Sequence, residues 1–217
     1  MRLRPRVPVL ASDLDVPWRE AEFCVLDLET TGLDLNRDQI VSYGAAIVTR
    51  ARIPCGRVAY GEVRPERPSS VDALRVHGLR SADLSGAPPL EEALEHIVDL
   101  LAGRVLVAHA AWVEQAFLDR ALRAGGRRLG RAVLDTAALV RACKLAGAGA
   151  GREPALEAVA RDLGLPVHTP HHALGDAFTT AEVFLVLATR LERAGPGAAP
   201  RRLTVRDLRA LSRYHRL

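Results

Sequence analysis

The chain has 217 residues, 48% of them hydrophobic, and this length and composition can bury one substantial α/β core. No stretch approaches the roughly 20 apolar residues of a membrane span. The three cysteines are scattered and lack CxxC spacing, which argues against a disulfide framework and against a zinc site. We therefore expect one soluble domain in a reducing cytoplasm, with no membrane association.

The net charge of +4 conceals two basic ends. Residues 1–6 hold three arginines, and residues 190–217 hold eight arginines against two acids, which leaves a net charge of −5 between the two ends. An acidic centre with basic ends suits an enzyme that holds divalent cations and binds a polyanion. Codon usage in a GC-rich genome is the alternative explanation, because Lys144 is the only lysine among 30 basic residues.

The segment 23–33, FCVLDLETTGL, predicts a strand that carries two acids on one face. Side chains alternate between the faces of a strand, so Asp27 and Glu29 point the same way. Their oxygens could converge on cations about 3.5 to 4 Å apart, the spacing of a two-metal phosphoryl-transfer site. The alternative is an edge strand whose acidic face is solvated.

The rest of the chain alternates predicted strands with predicted helices. Apolar runs and their Pro and Gly boundaries predict strands over residues 40–49, 58–63, 105–108 and 132–134, with the first two completing a three-stranded antiparallel unit. Apolar stripes at helical spacing predict helices over residues 90–102, 113–124, 135–145, 154–163 and 174–191, and a short helix near the C-terminus capped by Thr204 and Asp207. Residues 147–151 are glycine-rich and predict a flexible linker.

Two further acids lie on the apolar stripes of predicted helices. Glu114 precedes Phe117 and Leu118 by three and four residues, and Asp176 shares a stripe with Thr180. Either acid alone could be an ordinary cap or a buried hydrogen-bonding residue. Four such acids, from one strand and two helix starts, share a metal-site explanation.

The sequence resembles the DEDDh 3′→5′ exonucleases, the group of the proofreading epsilon subunit of bacterial DNA polymerase III, over about residues 20 to 190. Five motifs carry the resemblance in the family's order: DLETTGL from Asp27, HGL from His77, VAHAAWVEQAFL from Val107, LDT from Leu134 and HHALGDA from His171. The resemblance implies an α/β, ribonuclease H-like fold, with a five-stranded mixed sheet flanked by helices. We expect an exonuclease domain over residues 1–193, including a short basic N-terminal arm. Residues 194–217 would be a linker and a basic helix docked on the same domain, helping to hold substrate.

The resemblance also implies roles for individual residues. The family's four metal-binding acids fall on Asp27, Glu29, Glu114 and Asp176. Its catalytic histidine falls on His171, because the pattern H-x-A-x-x-D places alanine two residues later and so selects His171 over His172. The residues that contact the terminal nucleotide fall on Thr30, Thr31 and Leu33, although an ordinary strand-to-loop turn is the alternative there. A recurrent family aspartate falls on Asp135, which we interpret as a helix cap.

These roles imply hydrolysis with two Mg²⁺ or Mn²⁺ ions and with His171 as general base, releasing nucleoside 5′-monophosphates from single-stranded or frayed DNA ends. Exoribonuclease or oligoribonuclease-like activity is the nearest alternative. A catalytically degenerate domain that binds nucleic acid or a protein is the other, because the family's H-N-A-x-F-D motif here has Ala110 and Glu114 in place of Asn and Asp. No QxxLxF-type clamp-binding peptide is present, which favours a free-standing enzyme over a polymerase subunit. The oligomeric state stays open.

Overall fold

The computed structural model describes residues 13–130, 132–145, 153–194 and 202–212. Within them the strands are β1 (Glu22–Thr30), β2 (Ile40–Thr49), β3 (Val58–Glu62), β4 (Val105–Ala108) and β5 (Val133–Asp135). The helices are α1 (Val71–His77), α2 (Leu90–Leu101), α3 (Trp112–Ala124), α4 (Thr136–Ala142), α5 (Leu156–Asp162), α6 (Ala173–Arg193) and α7 (Val205–Leu211), with a 3₁₀ turn at Asp83–Gly86. The predicted N-terminal arm, the glycine-rich linker 147–151 and the linker 195–200 lie outside the described residues.

The five strands form one mixed sheet in the order β3-β2-β1-β4-β5. β2 runs antiparallel to both β1 and β3, whereas β4 runs parallel to both β1 and β5. The predicted fold class, a five-stranded mixed sheet flanked by helices, is confirmed. None of the helices in the described part of the chain combines the length and apolarity needed to cross a bilayer.

Alternate residues of β1 supply two hydrophobic cores, one on each face of the sheet. Phe23 and Val25 pack with residues of α4, α5, α6 and α7. Cys24 and Leu26 pack with residues of α2 and α3. Asp27 and Glu29 continue the alternation of Phe23 and Val25, so both acids lie on the face that α6 covers, as the sequence predicts.

Two glycines allow the start of α6 to lie against the sheet. A Cβ at Gly44, which pairs with Asp27 across β1 and β2, would overlap the backbone of Ala173. A Cβ at Gly175 would overlap the carbonyl of His168. The missing side chains therefore bring the first turn of α6, which carries Asp176, close to the acids of β1.

The C-terminal helix α7 packs into the core on the α6 face. Thr204 and Asp207 form the predicted capping box, with the Asp207 amide donating to Thr204 Oγ1 at 3.2 Å and the Thr204 amide donating to Asp207 Oδ2 at 3.0 Å. Val205 and Leu208 are fully buried, but Leu211 is 42% exposed. The buried face of α7 therefore does not include Leu211, where the helix ends, and Tyr214 lies outside the described residues.

The sequence patterns do not predict helix α1, because its seven residues are too few to establish a helical period of apolar residues, and none of them is buried. Its caps are visible in the sequence nevertheless. The Ser70 side chain accepts a hydrogen bond from the Ala73 amide, and Gly78 ends the helix at a φ of 74°.

Candidate active site

Three carboxylates converge at the carboxyl end of β1. Asp27 and Glu29 come from the strand, and Asp176 comes from the first turn of α6. One oxygen of each lies within 4.8 Å of the others. Glu29 is 9% exposed and Asp176 is 8% exposed, so the surrounding elements shield most of the cluster from solvent.

Glu114 enters from the first turn of α3 and is only 4% exposed. It does not belong to the cluster of three carboxylates that share the 4.8 Å spacing. Among the described residues, neither Glu114 Oε2 nor Asp176 Oδ1 has a hydrogen-bond partner. A buried carboxylate oxygen without a partner is costly, and a cation is one group that could satisfy both.

Burial raises the pKa of all four acids. For Asp27, burial acts first and the charges of Glu114, Glu29 and Asp176 add to it, so that its pKa is raised well above the ordinary range. Burial and Asp176 raise the pKa of Glu29 to about 8. Burial also raises the pKa of Glu114, and it raises that of Asp176 to about 6 against the opposing hydrogen bond from the His171 amide.

These observations test whether the four acids fit a divalent metal site. Repulsion among carboxylates and two unpartnered oxygens would both be relieved by hard cations, which prefer carboxylate ligands. The residues therefore fit such a group.

His171 lies beside Asp176 in an unusual backbone conformation. Its φ is 61°, and its amide donates to Asp176 Oδ2 at 2.8 Å. Its side chain is 51% exposed, and Nε2 lies 3.8 Å from Glu157 Oε1. His172 instead stacks on Tyr60 of β3, with ring centroids 4.5 Å apart. The imidazole of His171 is thus accessible from solvent, whereas that of His172 packs against the sheet.

The two threonines after β1 use their hydroxyls inside the turn. Thr30 Oγ1 donates to the Gly32 carbonyl at 2.7 Å, and Thr31 Oγ1 donates to Asp38 Oδ1 at 2.8 Å. The side chain of Leu33 is 70% exposed beyond this turn. The threonine side chains therefore shape the turn, while Leu33 is accessible to a ligand.

Two residues near the site are hydrogen-bonded parts of the fold. His109 contacts Thr136 Oγ1 through Nδ1 at 2.9 Å and the Pro154 carbonyl through Nε2 at 2.6 Å. Asp135 caps α4, as predicted, by accepting a hydrogen bond from the Ala137 amide at 2.9 Å. The sequence indicates the cap, but nothing in the spacing of His109 or Glu157 indicates their partners.

Comparison with known proteins gives one family for the chain. Residues 24–184 match the family RNase_T, described as exonuclease. The DNA polymerase III subunit epsilon-like protein of Rhodobacter capsulatus is 35% identical over 184 residues, which cover 83% of this chain and 26% of that protein. The PolC-type DNA polymerase III of Thermotoga maritima is 31% identical over 186 residues, which cover 83% of this chain and 13% of that protein. The chain thus spans about a quarter or less of the length of these relatives.

Solved structures share the fold. Exonuclease X in complex with 5′-overhanging duplex DNA is 22% identical, with a TM-score of 0.66 over 88% of this chain and 99% of that one. E. coli exonuclease I in complex with a dT13 oligonucleotide is 15% identical, with a TM-score of 0.69 over 80% of this chain and 42% of that one. The nuclease domain of 3′hExo, a DEDDh family member bound to rAMP, is 15% identical, with a TM-score of 0.63 over 82% of this chain and 94% of that one. The family match, the relatives and the shared fold together confirm the predicted resemblance: the chain belongs to the RNase_T exonuclease family.

Proposed function

We propose that the chain is a divalent-metal-dependent 3′→5′ exonuclease that releases nucleoside 5′-monophosphates from single-stranded or frayed DNA ends. The observation that carries the proposal is the convergence of Asp27, Glu29 and Asp176 within 4.8 Å, with a Glu114 oxygen on the neighbouring helix that has no hydrogen-bond partner in the described part of the chain. DNA is the favoured substrate because the solved relatives include exonuclease X with duplex DNA and exonuclease I with dT13.

Asp27, Glu29, Glu114 and Asp176 would hold two Mg²⁺ or Mn²⁺ ions, since oxygen ligands suit both. Such ions supply an activated water and charge that stabilises the leaving 3′ oxygen. Glu114 extends about 1.5 Å further than the family's aspartate. Ala110 and Ala111, which precede it in the chain, are small, and we expect such neighbours to suit a longer side chain that folds back. The more forgiving coordination of Mn²⁺ favours it over Mg²⁺ at such a site.

His171 supplies the proton transfer. Its exposed imidazole accepts a proton from the attacking water as the new bond from oxygen to phosphorus forms. The bond between phosphorus and the 3′ oxygen breaks, and that oxygen takes up a proton from solvent. The products are a nucleoside 5′-monophosphate and a chain shortened by one nucleotide. The hydrogen bond that the His171 backbone amide donates to Asp176 Oδ2 holds the histidine next to the carboxylate cluster, and Leu33 would lie beside the terminal base.

The experiment is a time course on DNA and RNA oligomers of one sequence, labelled at the 3′ or the 5′ end, with Mg²⁺, Mn²⁺ or EDTA. A 3′-labelled DNA should release labelled mononucleotide at once, and a 5′-labelled DNA should give a ladder of shortening products. EDTA should stop both reactions. Asp27→Ala should also stop them while circular dichroism shows an intact fold.

Other outcomes would contradict parts of this function. Cleavage that persists in EDTA or in Asp27→Ala contradicts the metal mechanism. Faster degradation of RNA than of DNA assigns an exoribonuclease. If the wild-type protein binds oligomers but cleaves none of them with any metal tried, it is a catalytically degenerate binding domain.

A further inference from the structure

The turn between β4 and α3 delivers Glu114 to the site, and its backbone is strained. Ala110, in the middle of this turn, has a φ of 56°. Residues other than glycine rarely adopt this left-handed conformation, because the Cβ approaches the following carbonyl oxygen. Surrounding contacts must therefore maintain the turn, and with it the direction in which α3 leaves the sheet.

Asp135 provides one of those contacts. A single oxygen, Oδ1, accepts hydrogen bonds from the Ala110 amide at 3.1 Å and from the Ala137 amide at 2.9 Å. The residue is only 5% exposed, so water does not compete effectively for these bonds. The first bond holds the strained turn and the second caps α4. Asp135 thereby ties the turn before Glu114 to the start of a buried helix.

Helix α7 contacts Asp135 through the backbone of that residue. The backbone amide of Asp135 donates to Ser212 Oγ, at the end of α7, and Ser212 is 6% exposed. Val205 and Leu208 are fully buried, and they fix α7 in the core. A continuous set of contacts thus runs from α7 through Ser212 and Asp135 to the turn before Glu114.

We propose that Asp135 is a positioning residue for Glu114 and that α7 supports this role through Ser212. The proposal rests on the function proposed above, in which Glu114 is a metal-site acid. The β4–α3 turn relaxes toward an ordinary conformation when Asp135 cannot accept the Ala110 amide. The carboxylate of Glu114 then moves relative to Asp27 and Glu29, and the metal site loses affinity. A residue that only caps α4 would instead change stability and leave metal affinity per folded molecule unaltered.

The test compares Asp135→Ala, Asp135→Asn and Ser212→Ala with the wild type by calorimetric titration of Mn²⁺ into the full chain, alongside kcat and KM on a DNA oligomer. Loss of an outer hydrogen-bond partner of a metal site commonly lowers affinity or activity about 10 to 100-fold, and we expect this range in Mn²⁺ affinity and kcat for Asp135→Ala. KM should change less than about threefold, because the substitution leaves the groups that bind substrate in place. Asp135→Asn keeps an acceptor oxygen and should recover most of the affinity.

Ser212→Ala should shift Mn²⁺ affinity in the same direction by a smaller factor. The matched control is Ile97→Val, a buried change in α2 on the opposite face of the sheet, which should keep wild-type Mn²⁺ affinity. Wild-type affinity in a folded Asp135→Ala, or an equal reduction in Ile97→Val, overturns the proposal. If Asp135→Ala does not fold, an unchanged Mn²⁺ affinity in Ser212→Ala overturns it. Failure of the proposed function is distinguishable, since it would appear as a wild type that binds Mn²⁺ and cleaves no oligomer.

Discussion

Replacing Glu29 with glutamine should stabilise the metal-free protein while it impairs the enzyme. Burial and the charge of Asp176 raise the pKa of Glu29 from 4.5 to about 8, so the folded state keeps a proton that the unfolded state releases. The folded state therefore binds more protons than the unfolded state between these two values. In EDTA, the wild-type protein should lose stability as pH rises through that window. Glutamine carries no charge at any of these pH values and removes the contribution of Glu29 to this dependence, whereas Asp27, Glu114 and Asp176 keep theirs.

The size of the effect follows from the pKa of Glu29. At pH 7, the carboxyl group is about 2.5 pH units above its unfolded pKa and still protonated in the fold, which corresponds to about 3 kcal/mol. Because Glu29 is only 9% exposed, solvent screens little of this energy. For a chain of this size, the expected rise in Tm of Glu29→Gln is about 6 to 12 °C.

The assay is thermal unfolding of wild type and Glu29→Gln in EDTA, from pH 5 to pH 8, followed by circular dichroism. The advantage of the variant should be largest at pH 8 and smallest at pH 5, which lies only about 0.5 pH units above the unfolded pKa, so that the release of the proton in the unfolded state has yet contributed little free energy. With saturating Mn²⁺, the order should reverse, because the wild type gains more binding energy from the metal. A Tm difference that is absent at pH 8, or that is equally large at pH 5, would refute the reasoning.

Three further predictions concern the other residues. His171→Ala should lower kcat about 10² to 10⁴-fold, the usual contribution of a positioned general base, and His172→Ala should lower it much less. Single-turnover rates of the two variants test this order, and the reverse order would show that the motif is misplaced by one residue. Glu114→Gln should reduce the Mn²⁺-supported rate far more than Glu114→Asp, because the first change removes the charge and the second only shortens its reach; equal rates for wild type and Glu114→Gln would remove Glu114 from the site. Replacing Arg202 and Arg209 with glutamine should weaken binding of a DNA oligomer. It should also lower the magnitude of the slope of log affinity against log salt by about one for each phosphate that an arginine no longer neutralises. Fluorescence anisotropy across a salt series measures both quantities, and an unchanged slope would show that these arginines do not bind phosphate.

Much of this site could be predicted from local sequence. Strand side chains alternate over neighbouring residues, so the run from Phe23 to Glu29 is sufficient to place Asp27 and Glu29 on one face. The apolar stripes of α3 and α6 likewise indicate that Glu114 and Asp176 point inward. These inferences hold because each depends only on contacts between residues close together in the chain.

Other features depend on residues far apart in sequence. His171 lies beside Glu157, and the Asp135 amide donates a hydrogen bond to Ser212. Each contact joins two elements that are distant in the chain, and no local pattern in the sequence indicates that they meet. Helix α1 is not predicted, because its seven residues are too few to establish a helical period and none of them is buried. Leu211 is apolar but largely exposed, because α7 ends at this residue.

The sequence by itself determined which side chains are acidic, which strand and helices carry them, and which face each one takes, because these depend on local periodicity. Only the tertiary structure decided that Asp27, Glu29 and Asp176 converge while Glu114 remains outside their cluster. It also decided how strongly their pKa values rise, since burial and charge repulsion depend on the distances that packing sets.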